Sequence, residues 1–374
     1  MRFIGNKTQL LENIKEVVDR HTADAHSFCD IFSGTASVAR YFKQWYEVYS
    51  NDLLYFSYCL QRATIENPDK PSFAALAKGT GIKDPISYFN DMSTENMESL
   101  PNEKRFFQNN YAPTGGRMYI TDSNALRIDF ARNTIETWNQ AGLLSQDEYY
   151  YIVASVIEGI PFVSNIAGTY GAFNKTWDIR SNKLFVLIDL PVFNNGMNNK
   201  SYNEDGVQLL HHISGDILYI DPPYNERQYL PNYHVLETAA KYDFPALRGV
   251  TGQRPYELQR SDFCSKKTVV SAFDALLANA SFNHIILSYN TDGIMTLAEI
   301  EATMKKHGIA STFEVNYIPY GMFLQGRSPF QIATALTKEG VPSPGGKDHW
   351  NASNIRSILT NEKYKGDALL QKSY

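Results

Sequence analysis

The stretch 216–229, DILYIDPPYNERQY, decides how the chain is read. Behind Asp216 the residues Ile217 to Ile220 form a fully apolar strand of the kind that parallel sheets bury on both faces. The strand runs into Asp221, Pro222, Pro223 and Tyr224. Open α/β sheets bind ligands beyond the carboxyl ends of their strands, so this is where chemistry would sit. Two prolines fix the backbone and remove two N–H donors. The exposed groups are then acceptors, the Asp221 carboxylate and the Pro222 carbonyl. Such a pair suits an amine that donates two hydrogen bonds, and Tyr224 adds a flat face for stacking. A plain Pro-Pro turn after a strand is the structural alternative.

Outward from this stretch, HSFCDIF at 26–32 predicts a buried strand. It enters a turn at Ser33-Gly34-Thr35 and a helix from about Ala36 to Lys43. YEVYSND at 46–52 predicts a second strand, ending in Asn51-Asp52. Strand, glycine turn, helix and strand open a doubly wound α/β sheet. Before them, Leu10, Leu11, Ile14, Val17 and Val18 share one helical face. Helices are predicted at 124–140 and 146–159, and HIILSYN at 284–290 as a further buried strand. TFEVNYIPY at 312–320 alternates and predicts a last, antiparallel strand. Residues 66–116 look irregular and are taken as an insert. So is 160–215, rich in Asn, Gly and Pro around the apolar run LFVLIDL. Beyond Met322, SPFQIATALTKEG predicts a helix closed by Gly340, then a loop. NASNIRSILTNEKY follows as a helix opened by an Asn or Ser cap.

The composition fits an ordered globular chain: 374 residues, 43% hydrophobic and 20% charged, enough for one large α/β domain with inserts. The net charge of −5 argues mildly against a nucleic-acid partner. The charge is uneven, however. Residues 323–374 carry seven Lys or Arg against four Asp or Glu, so a local basic cleft is compatible with the total. Cys29, Cys59 and Cys264 have no metal-like spacing and suit a reducing compartment. The first residues, MRFIGNKTQLLENI, lack a signal-peptide core, and no apolar run reaches membrane-spanning length. The expectation is a cytoplasmic protein without a metal.

An exocyclic amine such as that of adenine is a poor nucleophile, because its lone pair is delocalised into the ring. Two acceptors holding its hydrogens draw the nitrogen toward a tetrahedral geometry. Positioning and electrostatics then supply most of the catalysis. A partner for that reaction is suggested by DIFSGTASVARYFK at 30–43. Asp30 and Phe32 end a strand, and Gly34 lets the backbone approach a ligand. Asp52 ends the next strand, placed to accept from ribose hydroxyls. One glycine, rather than G-x-G-x-x-G, points to a nucleoside cofactor without phosphates. In isolation a plain strand–helix turn explains this segment as well. RFIGNK at 2–7 puts Lys7 at a helix start, where an ordinary surface lysine is the simpler account of the fragment.

Together these segments resemble the Dam-like adenine-N6 DNA methyltransferases, in the subgroup that accompanies type IIS restriction systems. The matching segments are RFIGNK, DIFSGTASVARYF, TDSNALRIDFAR, IAGTYGAF, DPPYNERQY, NYHVLETAA, GVTGQRPY and ILSYNTDGI. They span roughly 1–321. The resemblance implies a Rossmann-like sheet and S-adenosyl-L-methionine as cofactor. It implies that Asp221, Pro222, Pro223 and Tyr224 hold a flipped adenine. It also implies that Asp30, Phe32 and Gly34 hold the cofactor's methionine part, with Phe3 and Lys7 nearby, Asp52 at the ribose and Asp122 at the adenine. The family loop is often F-x-G-x-G, and here Ala36 replaces the second glycine. Double-stranded DNA is the implied partner, and a cognate restriction endonuclease a candidate one. Target recognition is expected from the two inserts. Lys175, Arg180, Asn225 and Arg227 are candidates for nucleic-acid contacts.

Residues 322–374 resemble instead the start of the recombinase domain of large serine recombinases. The catalytic serine of that family lies in a domain that precedes this one, so recombination is not expected. The chain is read as a fusion of a methyltransferase with a partial DNA-binding segment. A fusion crippled in catalysis that still binds DNA is the alternative. Methylation of RNA, or of a glutamine amide, is a further one, although glutamine methylases usually carry Asn where Asp221 stands.

Overall fold

Five short strands carry the site. The computed structural model describes residues 7–318, 329–338, 343 and 348–355. The strands are β1 (Ser27–Asp30), β2 (Glu47–Asn51), β3 (Lys200–Tyr202), β4 (Gly215–Ile220) and β5 (Phe282–Leu287). They form one parallel sheet in the order β3-β2-β1-β4-β5. Parallel neighbours need crossovers, which the helices supply. Helix α1 (Leu11–His21) precedes the sheet, and α2 (Ser37–Phe42) joins β1 to β2. From β1 the chain steps outward to β2 and β3, then returns past β1 to β4. The order therefore reverses between β1 and β4, and a doubly wound sheet opens a crevice at such a point. Phe28 pairs with Val48 on one side and Ile217 on the other.

Each face of the sheet has its own apolar layer. Phe28, Val48, Ile217 and Tyr219 pack with Ile14 and Val18 of α1 and Val38, Ala39 and Phe42 of α2. Cys29, Leu218 and Ile220 pack on the other face with Leu209, Phe273, Leu276 and Ile300. These come from α10 (Gly206–Leu209), α12 (Val269–Ala278) and α13 (Leu297–His307). Strand residues of alternating direction thus feed two cores, which is why β4 is apolar from Ile217 to Ile220.

The rest of the first unit is helical. It holds α3 (Tyr55–Gln61), α8 (Asp122–Gln140), α9 (Gln146–Val163) and α11 (Tyr229–Lys241), all in one large core. Ser145 and Glu148 form a capping box that starts α9, and the Thr121 hydroxyl accepts from the Asn124 amide to start α8. The segment 66–116, expected to be irregular, contains α4 (Ala74–Thr80), α5 (Pro85–Asp91), α6 (Thr94–Met97) and α7 (Phe106–Tyr111). Short amphipathic turns between Pro, Gly and Asn hid them. LFVLIDL is extended without joining a ladder. Its amides at Phe185 and Leu187 donate to the side chains of Asn124 and Asn90, and that of Ile188 to the Ser155 carbonyl. The stretch 160–215 is not wholly an insert either, since β3 and α10 belong to the sheet layer.

The predicted antiparallel strand is not formed over its described part. Residues 310–312 make a 3-10 turn and 313–318 join no ladder. The side chains of Val315 and Tyr317 stay exposed, so no burial fixes the alternation into a strand. The rest of that segment lies outside the described residues.

By contact density the chain divides into Met1–Glu314 and Val315–Tyr374. In the second unit, α14 (Pro329–Lys338) is the helix expected from SPFQIATALTKEG. Its Ile332 and Ala333 are buried with Trp350 and Ile355, and the Trp350 amide donates to the Thr337 hydroxyl. Gly340 and residues 356–364 of the second predicted helix lie outside the described residues.

Candidate active site

Because β1 and β4 are neighbours, the residues at their carboxyl ends come together. Asp30 is the last residue of β1, paired with Tyr219, and Asp221 immediately follows β4. Both line a cavity of about 540 Å³, of the size that holds a small ligand. Asp30 is 1% exposed, and among the described residues neither of its carboxylate oxygens has a partner in full hydrogen-bond geometry, although the Ser33 side chain and the Ala39 backbone lie near enough to favour the charged form. Burial first, and then the charge of Asp221, push its pKa from 3.8 up to about 8. A buried carboxylate without a full set of hydrogen bonds is costly to the fold.

The glycine turn builds the floor. Gly34 has φ +52° and its amide donates to Asp52 Oδ2 at 2.9 Å, while the Leu54 amide donates to Oδ1 at 2.8 Å. Asp52 is thereby aimed into the cavity beyond β2. Burial lifts its pKa to about 6 against those two backbone bonds. Ala36, where the family pattern has a second glycine, sits at φ +59° and is fully buried as the cap of α2. The left-handed geometry explains why glycine suits that place. Phe32 also lines the cavity, its ring edge-on to Phe263 at 5.1 Å between centroids.

Three further acids of the lining, Glu204, Asp205 and Asp262, were missed in the sequence. Glu204 and Asp205 line the cavity beyond β3, and Asp205 accepts the Val207 and Gln208 amides at the start of α10. A three-residue strand gives no periodicity to detect, and so hid Glu204 and Asp205. Asp122, by contrast, does not line the cavity. It opens α8, and its carboxylate accepts the Thr114 amide at 3.0 Å.

A strap closes another side. The Gln228 side chain donates to the Ser261 carbonyl and accepts from its amide, at 3.0 and 2.8 Å. Gln259 donates to Leu53 O and to the buried Glu237, which also takes the amides of Tyr55 and Phe56. Gln228, Gln259, Arg260 and Ser261 all line the cavity. Among the described residues that line it, the acids Asp30, Asp52, Glu204, Asp205, Asp221 and Asp262 face the cations Lys7 and Arg260. Such a wall suits a cationic ligand and repels phosphate.

Lys7 Nζ lies 3.0 Å from Asp221 Oδ1 and 5.7 Å from the Tyr224 ring centroid. Pro223 lines the cavity beside Asp221, whereas Pro222 is buried behind it. Asn225 takes the Arg227 amide on its side chain, and Arg227 is exposed. Lys175 is exposed on its loop, away from the cavity lining. Arg180 is engaged by its neighbour Asp178 through two guanidinium nitrogens. Phe3 lies outside the described residues.

The doubly wound sheet thus carries an acid-lined cavity at its switch point, bordered by Asp221 and Pro223 of the Asp-Pro-Pro-Tyr turn. Comparison with known proteins gives the class. The model of the D12 class N6 adenine-specific DNA methyltransferase family matches residues 3–304, and the chain belongs to that family. It is 48% identical over 323 residues to Type II methyltransferase M.FokI of Planomicrobium okeanokoites, covering 86% of this chain and 49% of that protein. It is 43% identical to Modification methylase StsI of Streptococcus sanguinis, covering 86% and 48%. The identity to Type II methyltransferase M.NlaIII of Neisseria lactamica is 36%, over 85% of this chain and 91% of that one. The chain spans about half the length of the first two of these curated relatives. A recombinase family model matches residues 318–374.

Proposed function

We propose that the protein transfers the methyl group of S-adenosyl-L-methionine to N6 of an adenine flipped out of double-stranded DNA, at a specific site. The observation that carries this is the junction of β1 and β4. One cavity there joins the buried acid Asp30 to Asp221 and Pro223 of the Asp-Pro-Pro-Tyr turn. When bound, the cofactor supplies an electrophilic methyl on a sulfonium. The cavity fits it, because Asp30 offers a buried carboxylate to the ammonium and Asp52 offers acceptors to the ribose hydroxyls. Glu204 and Asp205 lie beyond the next strand, within the same cavity, for the adenine amine of the cofactor. No cluster of phosphate-binding donors is needed.

The target base must leave the helix, because N6 is paired within the duplex. Asp221 and the Pro222 carbonyl then accept the two hydrogens of its amine, and Tyr224 stacks on the ring. Asp221 is also the base at hand for the proton that N6 sheds after transfer. Exposed Arg227 and Lys175 suit phosphate contacts, with Asn225 shaping the turn between the base and Arg227. Arg180, held by Asp178, is available to DNA only if that pair opens. A paired restriction endonuclease fits the modification methylases among the relatives. In this reading residues 1–321 are the methyltransferase and 322–374 an appended DNA-binding segment.

The test is transfer of a labelled methyl group by the purified chain to duplex DNA and, in parallel, to RNA. Label recovered as N6-methyladenine from DNA is the expected result. Label in N4-methylcytosine, or in RNA alone, overturns the proposal.

A further inference from the structure

Lys7 lies against the acceptor turn as well as the cofactor cavity. Its ammonium is 3.0 Å from Asp221 Oδ1, and the two side chains are only 12% and 16% exposed. The same nitrogen stands 5.7 Å from the centroid of the Tyr224 ring, within the reach of a cation–π contact. One cation thus touches the acceptor and the stacking ring of the adenine pocket together.

The charges around Asp221 explain why a cation is wanted there. Asp30 faces it from β1, the hydroxyls of Tyr219 and Tyr229 face it from β4 and α11, and Asp52 stands behind Asp30. Among the described residues, Lys7 is the cation that contributes to its titration. Burial alone pushes the carboxyl toward the neutral acid, and Lys7 pulls it back. The neutral acid is the wrong partner, since its O–H is a donor where the base amine needs an acceptor. An ionised carboxylate offers two oxygens, so with Oδ1 engaged by Lys7, Oδ2 can meet the amine.

We propose that Lys7 is a positioning residue for methyl transfer, holding Asp221 as a charged, oriented acceptor and steadying the Tyr224 ring. This rests on the reading of Asp221 as the acceptor of the adenine amine. The role differs from cofactor binding, because it acts on the adenine side of the cavity and is expressed in the transfer step.

The test is single-turnover methyl transfer at saturating cofactor and duplex, from pH 5.5 to 9, for the wild type, Lys7→Met and Lys7→Arg. Removing the cation raises the Asp221 pKa, so activity is lost earlier as pH falls. An opposite charge at this distance is worth about 1–3 pH units, and the acidic limb of Lys7→Met should move upward by that amount. Its rate should recover toward high pH, and Lys7→Arg should keep the limb near its wild-type position. A uniform loss with an unmoved limb in Lys7→Met, or the same shift in both variants, overturns the proposal. Asp221→Ala separates the two ideas. If it transfers methyl groups at the wild-type rate, the reading of Asp221 fails. If it is inactive while the Lys7→Met limb stays put, only the role of Lys7 fails.

Discussion

Replacing Asp30 with Asn should stabilise the unliganded protein and disable it. The carboxyl is buried without a full set of hydrogen bonds, and its pKa is raised from 3.8 to about 8. Between those values the folded state holds a proton that the unfolded state releases, so stability falls as pH rises through the window. At about 1.4 kcal/mol per unit, the full displacement corresponds to an upper figure of roughly 6 kcal/mol by pH 8. Asn cannot ionise and escapes that loss. Urea midpoints at fixed pH should therefore show Asp30→Asn close to wild type at pH 4.5 and more stable by about 2 kcal/mol or more at pH 8. Asp52 and Asp221 also have raised pKa values and are coupled to Asp30, so the gain in Asp30→Asn includes the repulsion that the substitution removes from them. A bound cation favours the ionised acid, so wild-type affinity for S-adenosyl-L-methionine should rise up to about tenfold per pH unit until near pH 8. Asp30→Asn should bind at least tenfold more weakly at pH 8, with a flatter profile. A variant no more stable than wild type at pH 8, or one that keeps the wild-type slope, would refute the reasoning. Function held at a cost in stability is common at active sites.

Ala36→Gly relieves a buried residue at φ +59° and should stabilise the fold by up to about 1 kcal/mol, read as a higher urea midpoint with unchanged slope. A loss of stability would show that the methyl group packs more than it strains. Arg227→Ala should weaken duplex binding uniformly across sequences and reduce the slope of log K against log salt by about 1. An unchanged slope would remove Arg227 from the phosphate contacts.

The sheet was legible where burial acts on both faces. Ile217 to Ile220 and Phe28 to Asp30 are apolar or chemically marked along their whole length, and they became β4 and β1. Register is what brings Asp30 beside Asp221, and no local pattern carries that information. β3 escaped notice because three residues make no period, and with it went Glu204 and Asp205. TFEVNYIPY misled in the opposite sense. Alternation predicts a strand only if one side becomes buried, and Val315 and Tyr317 do not. Asp122 was placed by family resemblance, but opening α8 binds it to the Thr114 amide, away from the cavity. The residues alone made Lys7 a surface lysine at a helix start and the family resemblance set it near the cofactor, but its contact with Asp221, 214 positions away in the sequence, was not legible.

The central claim is that the Asp-Pro-Pro-Tyr turn methylates adenine in DNA. Its most direct test is methylation-sensitive long-read sequencing of DNA from cells that express this chain, beside cells that express Asp221→Ala at the same level. The account predicts N6-methyladenine at one short motif with the wild type and none with the variant. Modification that persists in Asp221→Ala, or no modification from soluble, folded wild-type protein, would contradict it.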